Sequence, residues 1–193
     1  MLRRLGLLVA SYLFGAFPTA SLVGQTLGRD VYAEGSGNPG ATNIFRVAGA
    51  RAGAVVAATD VLKGVLPAVV GAKTTGSTAV GAACGAAAVV GHCFPLSAPG
   101  RGGKGVATAA GMVLAVDPAL ALGAAPVWAS IAKLTRRPSI ASITVAAGIP
   151  LVAVARRRPA WEVVVFTVVG GIVLARHEDN IRRLVRGEED ALA

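Results

Sequence analysis

The sequence predicts an all-α fold, a polytopic integral membrane helical bundle of about seven transmembrane helices, some short or broken, in one domain over residues 1–193. The chain is 54% hydrophobic with a mean hydropathy of +0.64, and only 15% of its residues are charged. Soluble domains carry about 25% charged residues. The apolar residues also lie in long blocks that are typical of membrane spans. The net charge of +9 is therefore expected to face anionic lipid or an anionic substrate, with no nucleic-acid partner.

The first apolar block predicts a span over about residues 5–27, with Pro18 tolerated as a kink. Arg3 and Arg4 before it resemble the start of a signal peptide, but the block is long enough to span and has no clear cleavage site. We therefore expect a retained first helix.

A second span is expected over about residues 52–72, and it contains Asp60 and Lys63. An ionisable residue at mid-membrane costs roughly 2.5–3.5 kcal/mol, so both charges need a reason. Three residues apart on a helix, they can pair with each other and fix helix packing. They can also form a charged wall of a site near one membrane face.

A third span is expected over about residues 77–95, where many Gly and Ala residues allow close helix packing. The next block, 105–134, would be about 45 Å long as one helix, against a hydrocarbon core of about 30 Å. Asp117-Pro118 near its middle is a turn signal, so we predict two short spans there. The last two spans are expected over about residues 139–155 and 160–175.

With seven spans, three polar stretches fall on one side of the membrane: those around Gly35 and Gly102, and the tail that begins at Arg176. That side carries 12 Lys and Arg residues and the other side 6. The positive-inside rule then places the polar stretches in the cytoplasm. The cluster Arg156–Arg158 faces outward in this arrangement, against the rule.

The first polar stretch, residues 35–46, is rich in glycine and free of acidic residues. Glycine backbones can turn several amide N–H groups toward one point, and Ser36, Thr42, Asn43 and Arg46 add hydrogen bonds and a positive charge. That chemistry suits an anion, most plausibly a phosphate. The alternative is a polar loop between two helices, with Thr42 or Asn43 as an N-cap.

The second stretch, Gly102-Gly103-Lys104-Gly105, resembles part of a phosphate loop, but Gly105 stands where the nucleotide-binding pattern requires Ser or Thr. Glycine amides and a lysine just before a helix start still favour an anion. The alternative is a glycine turn with Lys104 reaching to the membrane interface.

The third stretch places His177 and Asn180 three residues apart, on one face of a tail helix. Without other information this helix is also explained as an amphipathic segment lying on the membrane. Cys84 and Cys93 lack the paired spacing of a metal site and are expected to be packing residues. No metal ligand set and no cofactor are predicted.

Together the three stretches resemble the bacterial membrane-embedded glycerol-3-phosphate acyltransferases that use acyl phosphate as donor. The matching segments are GSGNPGATNIFR (35–46), GHCFP (91–95), GGKGVAT (102–108) and RHEDNIRRLVRGEE (176–189). The resemblance covers essentially the whole chain in the family's order. It departs at residues 96–101 and at Arg137-Pro138, next to the weaker match that begins at Ser139.

The resemblance implies transfer of a long-chain acyl group from acyl phosphate to the sn-1 hydroxyl of glycerol 3-phosphate. The products are lysophosphatidic acid and phosphate, at the first step of phospholipid biosynthesis in the cytoplasmic membrane. We predict catalytic roles for His177, Asn180, Lys104 and Asn43. We also predict substrate-binding or phosphate-binding roles for Ser36, Gly37, Asn38, Gly40, Thr42, Arg46, His92, Gly102, Gly103, Gly105, Ser139 and Ser142.

The chemistry needs little beyond positioning, because acyl phosphate is a mixed anhydride and already activated. We expect Ser36, Arg46 and Lys104 to bind the phosphates, and Asn43 and Asn180 to orient the hydroxyl or the carbonyl. His177 or a substrate phosphate takes the proton. A transporter of a phosphorylated metabolite and a lipid-binding scaffold are alternatives from other classes, and no oligomeric state is predicted.

Overall fold

The structure is a computed structural model that describes residues 1–192, and these residues form nine α-helices joined by short loops. The helices are α1 (Leu2–Gly15), α2 (Thr19–Thr26), α3 (Ala41–Thr75), α4 (Thr78–Cys93), α5 (Val106–Val116), α6 (Pro118–Thr135), α7 (Pro138–Ala155), α8 (Ala160–Ala175) and α9 (Glu178–Arg186).

The predicted division of the long apolar block at Asp117-Pro118 is confirmed. Asp117 has non-helical backbone angles and separates α5 from α6, and Pro118 begins α6 at a position where its missing N–H costs no hydrogen bond. The Asp117 carboxylate accepts a hydrogen bond from the Leu120 amide at 3.0 Å. One side chain therefore ends the continuous helix and caps the next one.

One of the predicted boundaries is wrong. The first span, Leu2–Thr26, is broken where a kink was predicted: α1 ends at Gly15 and α2 begins at Thr19, because Pro18 cannot donate a hydrogen bond within a helix. The second begins eleven residues earlier than expected, at Ala41 instead of Ala52. The polar residues after Ala41 are thus helical, and a bend at Gly49, with φ of 86°, separates them from the apolar part of α3.

Length and composition support membrane insertion of the bundle. Three helical runs are long and apolar enough to cross a membrane, namely Leu2–Thr26, Ala41–Thr75 and Pro138–Ala155. A fourth is reached if α8 and α9, bent by 57° relative to each other, count as one span. The helices α4 and α5 are apolar but shorter. All seven predicted segments are thus helical, and several are short or broken.

The helices pack as two groups that meet along α4, α5 and α8. In the first group α3 packs on α4 and α5, and α1 packs on α4. Glycines allow the close approach: a Cβ on Gly64 would lie 2.0 Å from the Thr108 carbonyl oxygen, and one on Gly91 would lie 2.0 Å from that of Tyr12. In the second group α7 lies between α6 and α8.

Asp60 and Lys63, the two intramembrane charges, form an ion pair. Mutual pairing was one of the two alternatives that the sequence left open. Lys63 Nζ lies 2.8 Å from Asp60 Oδ1, and both residues are buried. Lys63 Nζ also donates to the Phe17 carbonyl at 2.7 Å, at the break between α1 and α2. His92 Nδ1 lies 3.7 Å from the same Asp60 oxygen. The pair therefore fixes helix packing and supports the interrupted first span.

The arginine cluster that runs against the positive-inside rule is largely neutralised by acidic residues. Arg156 Nη1 donates to Asp117 Oδ2 at 2.9 Å. Arg158 makes two hydrogen bonds to the Glu162 carboxylate, at 2.7 and 3.0 Å. Glu162 and Asp117 are both buried, and the four residues tie the ends of α5, α6, α7 and α8 together.

Candidate functional site

A cavity of about 990 Å³ lies between α3 and the helices α5 to α8. One end is polar and brings together the three stretches singled out in the sequence. The other end is apolar and runs between the helices. The polar lining comprises Ser36, Asn38, Thr42, Asn43, Arg46, Asp60, His92, Lys104, Ser139, Ser142, His177, Asn180, Arg183, Glu189 and Asp190. The apolar lining includes Met112, Val113, Ala121, Ala124, Ala125, Trp128, Val145, Ala146, Ile149, Phe166, Val169 and Val173.

Asn43 holds the glycine-rich loop in place. Its Oδ1 accepts a hydrogen bond from the Ser36 amide at 2.8 Å, and its Nδ2 donates to the carbonyls of Val31 and Glu34 at 3.0 and 3.1 Å. The side chain is 1% exposed although it borders the cavity. All the polar atoms of Asn43 thus contact loop backbone, which is the geometry of a positioning residue.

The exposed polar residues of the first stretch face the cavity. Ser36, Thr42 and Arg46 border it, as do the backbones of Gly35 and Gly40. Within residues 1–192 the Arg46 guanidinium has no ion-pair partner, so it remains available to a ligand. Gly37 does not border the cavity: it has φ of 67° and its amide donates to the Glu34 carbonyl within a turn.

In the second stretch, residues 102–105, some residues border the cavity and others hold the loop in its conformation. Arg176 donates to the carbonyls of Gly102 and Gly103 at 2.6 and 3.1 Å, and the Gly103 amide donates to the His92 carbonyl at 3.0 Å. Both glycines border a second, smaller pocket instead of the main cavity. Their expected place among the residues lining one phosphate pocket is therefore not seen.

Glycine is nevertheless required at these positions. A Cβ on Gly103 would lie 2.1 Å from His92 Nε2, and one on Gly102 would lie 2.0 Å from the Cys93 carbonyl oxygen. Gly105 caps α5 with φ of 79° and borders the main cavity beside Lys104, Val106 and Ala107. The N-terminal end of α5 thus faces the polar end, where its free amides favour an anion.

A chain of hydrogen bonds connects Lys104 to the C-terminal tail. Lys104 Nζ donates to Asn180 Oδ1 at 2.5 Å, and Asn180 Nδ2 donates to Glu189 Oε1 at 2.6 Å. Ser139 Oγ donates to the same Glu189 oxygen at 2.6 Å, and Arg183 Nε donates to the other at 2.7 Å. The tail residue Glu189 is thus the centre that orients three site side chains.

The surroundings shift the pKa values of Lys104 and Glu189, the two charged residues that Asn180 connects. Burial lowers the pKa of Lys104 to about 8, against the opposing attraction of Glu189. Burial acts to raise the pKa of Glu189, but hydrogen bonds from Ser139, Asn180 and Arg183 outweigh it, so the pKa is lowered and the carboxylate stays ionised. The pKa of Lys104 therefore lies at about 8, beside a carboxylate whose own pKa is lowered.

His177 lies at the junction of α8 and α9 and borders the cavity, although it is only 2% exposed. Its Nδ1 lies 2.7 Å from the Val173 carbonyl, which can only accept a hydrogen bond. The proton is therefore on Nδ1, and Nε2 carries the lone pair. Burial lowers the pKa of His177, against the opposing effect of the Val173 hydrogen bond, so the ring is a neutral proton acceptor.

The remaining predicted residues border the cavity with other contacts in place. Ser142 Oγ accepts from Trp128 Nε1 at 3.0 Å and donates to the Pro138 carbonyl at 2.8 Å. His92 lies between the two pockets, beside Asp60. Asn38 borders the main cavity with half-buried side-chain atoms.

Three charged residues that hold site groups in place by hydrogen bonds were not predicted as site residues: Arg176, Arg183 and Glu189. All three lie in the segment 176–189 that carried the family resemblance, so the motif contained the signal. From the sequence alone, a charged residue in a polar tail is expected to face solvent. The partners of Glu189 and Arg176 include Ser139 and Gly102, which are distant in sequence, so these contacts could not be predicted.

Comparison with known proteins agrees with this geometry. The family model described as glycerol-3-phosphate acyltransferase matches residues 5–187. A glycerol-3-phosphate acyltransferase of Syntrophotalea carbinolica is 43% identical over 188 residues, which cover 95% of both chains. One of Geobacter sulfurreducens is 41% identical over 191 residues, which cover 98% of both chains.

Solved structures show the same similarity. The crystal structure of PlsY, an integral membrane glycerol 3-phosphate acyltransferase, in its glycerol 3-phosphate form matches with a TM-score of 0.94 and 36% identity, covering 99% of this chain and 96% of that one. The lysophosphatidic acid form of PlsY matches with a TM-score of 0.92 over the same shares. Sequence and fold together show that the chain belongs to the glycerol-3-phosphate acyltransferase family.

Proposed function

We propose that this protein transfers a fatty acyl group from a long-chain acyl phosphate to the sn-1 hydroxyl of glycerol 3-phosphate, giving lysophosphatidic acid and phosphate. The observation that carries the proposal is the cavity itself, which joins a polar end that contains Arg46 and Lys104 to an apolar channel between helices. A phosphorylated glycerol fits the first and an acyl chain the second. The related PlsY structures were solved in glycerol 3-phosphate and lysophosphatidic acid forms.

The reaction forms one bond and breaks one. The sn-1 hydroxyl oxygen attacks the acyl carbonyl carbon, and the new ester bond forms as the bond between that carbon and the phosphate oxygen breaks. The phosphate leaves with the electron pair. The hydroxyl proton passes to His177 Nε2 or to a phosphate oxygen of the substrate.

The protein's task is to hold two mutually repelling phosphates close together. Arg46 and Lys104 supply the positive charge, while Ser36 and the amides at the start of α5 add hydrogen bonds. Asn180 fixes the position of Lys104 and is itself held by Glu189. Asn43, expected to orient a substrate group, acts instead through the loop that presents Ser36.

We place the protein in the bacterial cytoplasmic membrane with the polar end on the cytoplasmic side. The excess of Lys and Arg on that side supports this, as does the neutralisation of Arg156 and Arg158 at the other end. Glycerol 3-phosphate then enters from the water, and the acyl donor arrives with its chain in the membrane.

The test of the function is phosphate release from acyl phosphate by the purified protein, with and without glycerol 3-phosphate. We expect release that depends on glycerol 3-phosphate and is matched by lysophosphatidic acid formed. Release that is independent of glycerol 3-phosphate would contradict the proposal. Uptake of labelled glycerol 3-phosphate into vesicles without acylation would support a transporter instead.

The phosphate roles are tested by Arg46→Ala and Lys104→Ala in folded, membrane-inserted protein. Loss of a charge-assisted contact to phosphate predicts a decrease of roughly 10- to 100-fold in kcat/KM for either variant. The matched control is Arg51→Ala, because Arg51 is exposed on the same helix α3 as Arg46 but does not border the cavity. Unchanged rates in Arg46→Ala or Lys104→Ala would refute their assignment.

The proton acceptor is tested by His177→Gln. If Nε2 takes the proton, kcat falls by roughly 100-fold or more, as for loss of a general base. A modest decrease would show that a substrate phosphate takes the proton and that His177 only shapes the pocket.

A further inference from the structure

The apolar end of the cavity lies against a cluster of buried side chains. Its last lining residues come one from each of four helices: Val113 on α5, Ala121 on α6, Ile149 on α7 and Phe166 on α8. Phe166 is 1% exposed and packs in a cluster with Leu120 and Ala153, which are buried beyond the cavity. The channel therefore ends at a packed floor.

The depth of the channel follows from the helices that line it. Ser139 at the polar end and Ile149 at the floor are ten residues apart on α7, which corresponds to about 15 Å along the helix. On α8, Phe166 lies seven residues before Val173. Val173 in turn lies one helical turn before His177. A depth of about 15 Å is half of the ~30 Å hydrocarbon core, the length available to an acyl chain in one leaflet.

Charged residues at the helix ends beyond the floor stabilise the helices that carry it. Glu162 lies one turn from Phe166 on α8, is buried, and receives two hydrogen bonds from Arg158. Asp117 joins the start of α6 to Arg156 at the end of α7. These contacts fix the ends of the helices that carry the floor, so the floor resists displacement by a longer chain.

We propose that Phe166, with Ile149 beside it, sets the longest acyl chain that the enzyme accepts; this rests on the proposed acyl transfer. The acyl donor is already in the membrane, so additional methylene groups in its chain gain no binding free energy from leaving water. Discrimination is instead steric. A chain that extends beyond the floor has to bend or push apart a packed core, and overpacking a core is unfavourable.

The experiment measures kcat/KM for saturated acyl phosphates of increasing length with wild type, Phe166→Ala and Ala146→Leu. Phe166→Ala removes the floor, and we expect it to raise the relative kcat/KM for donors beyond the wild-type optimum by about fivefold or more. Ala146 borders the channel nearer the polar end than Ile149. Its replacement by Leu fills the channel, and we expect the optimum to move to shorter donors.

The control is Val168→Ala, a truncation on the same helix at a side chain that is 55% exposed and does not border the cavity. It should leave the chain-length profile unchanged. If Phe166→Ala does not fold, Ala146→Leu still decides the question. A wild-type profile in Ala146→Leu, or in folded Phe166→Ala, would overturn the proposal and show that the chain leaves sideways into the bilayer. Absence of acyl transfer in the wild type would instead reject the proposed function.

Discussion

Lys104 illustrates how a single buried side chain is prepared for an anionic ligand. Burial lowers its pKa to about 8, while Asn180 fixes its position and Glu189 opposes the loss of charge. A bound phosphate supplies the second negative charge that a desolvated ammonium group needs. The site therefore binds an anion most strongly when Lys104 is protonated.

This gives a prediction for pH. Lys104 is protonated below about pH 8 and neutral above it, so affinity of the free enzyme for glycerol 3-phosphate should fall as pH rises through about 8. Equilibrium binding across pH measures this. Lys104→Arg should keep the charge and move the decrease to higher pH. The same profile in Lys104→Arg and wild type would assign the titration to another group.

Two residues show what motif reading yields and where it stops. The sequence predicted Asn43 as a site residue, and the structure places it at the cavity, but its polar atoms contact the loop backbone. Glu189 was not predicted, although it receives hydrogen bonds from Ser139, Asn180 and Arg183. Residue type and motif indicate that a position matters, whereas its role depends on partners that are distant in sequence.

Among the helices, α3 depends on its buried ion pair. Lys63→Met should leave the Asp60 carboxylate buried without its partner and lower the free energy of unfolding by roughly 3–5 kcal/mol. The double variant Asp60→Asn, Lys63→Met removes both charges and should recover much of that loss. Denaturant unfolding in detergent measures both. Equal losses in the single and double variants would show that the unpaired Asp60 charge is not the cause of the loss, and would contradict this prediction.

The break between α5 and α6 depends on Asp117, which caps α6 and pairs with two arginines. Asp117→Ala should lower the free energy of unfolding by about 1–2 kcal/mol, mostly through loss of the cap. Asp117→Asn retains a capping side chain and should cost less. As a reference, Glu178→Ala removes an exposed ion pair with Arg182 and should cost about 0.5 kcal/mol or less, so a larger effect there would contradict this ranking.

At the scale of the whole molecule, one membrane face carries the polar end of the cavity and the other carries the arginine cluster at residues 156–158. The prediction uses a Cys84→Ala, Cys93→Ala background, because those two are the free cysteines in the part of the chain described by the structure. An impermeant thiol reagent added to intact cells should label Arg157→Cys and not Ser36→Cys. Labelling of Ser36→Cys from outside would contradict the cytoplasmic placement of the site.

The sequence by itself determined the all-helical membrane fold, the division at Asp117-Pro118 and the stretches that form the site. These are local properties: hydrophobic block length, proline and glycine positions, and short motifs carry them. The beginning of α3 was misplaced because Thr42, Asn43 and Arg46 read as loop residues, and a helix that carries a binding site can be polar.

Only the tertiary structure decided which atoms face the cavity, that Arg176 holds the carbonyls of Gly102 and Gly103, and that Glu189 orients Lys104 through Asn180. It also decided which side chains line the apolar channel, since Phe166 borders it together with residues from three other helices. The physical reason is common to all of these. Hydrogen-bond direction and packing arise between segments far apart in the chain, and no local pattern encodes them.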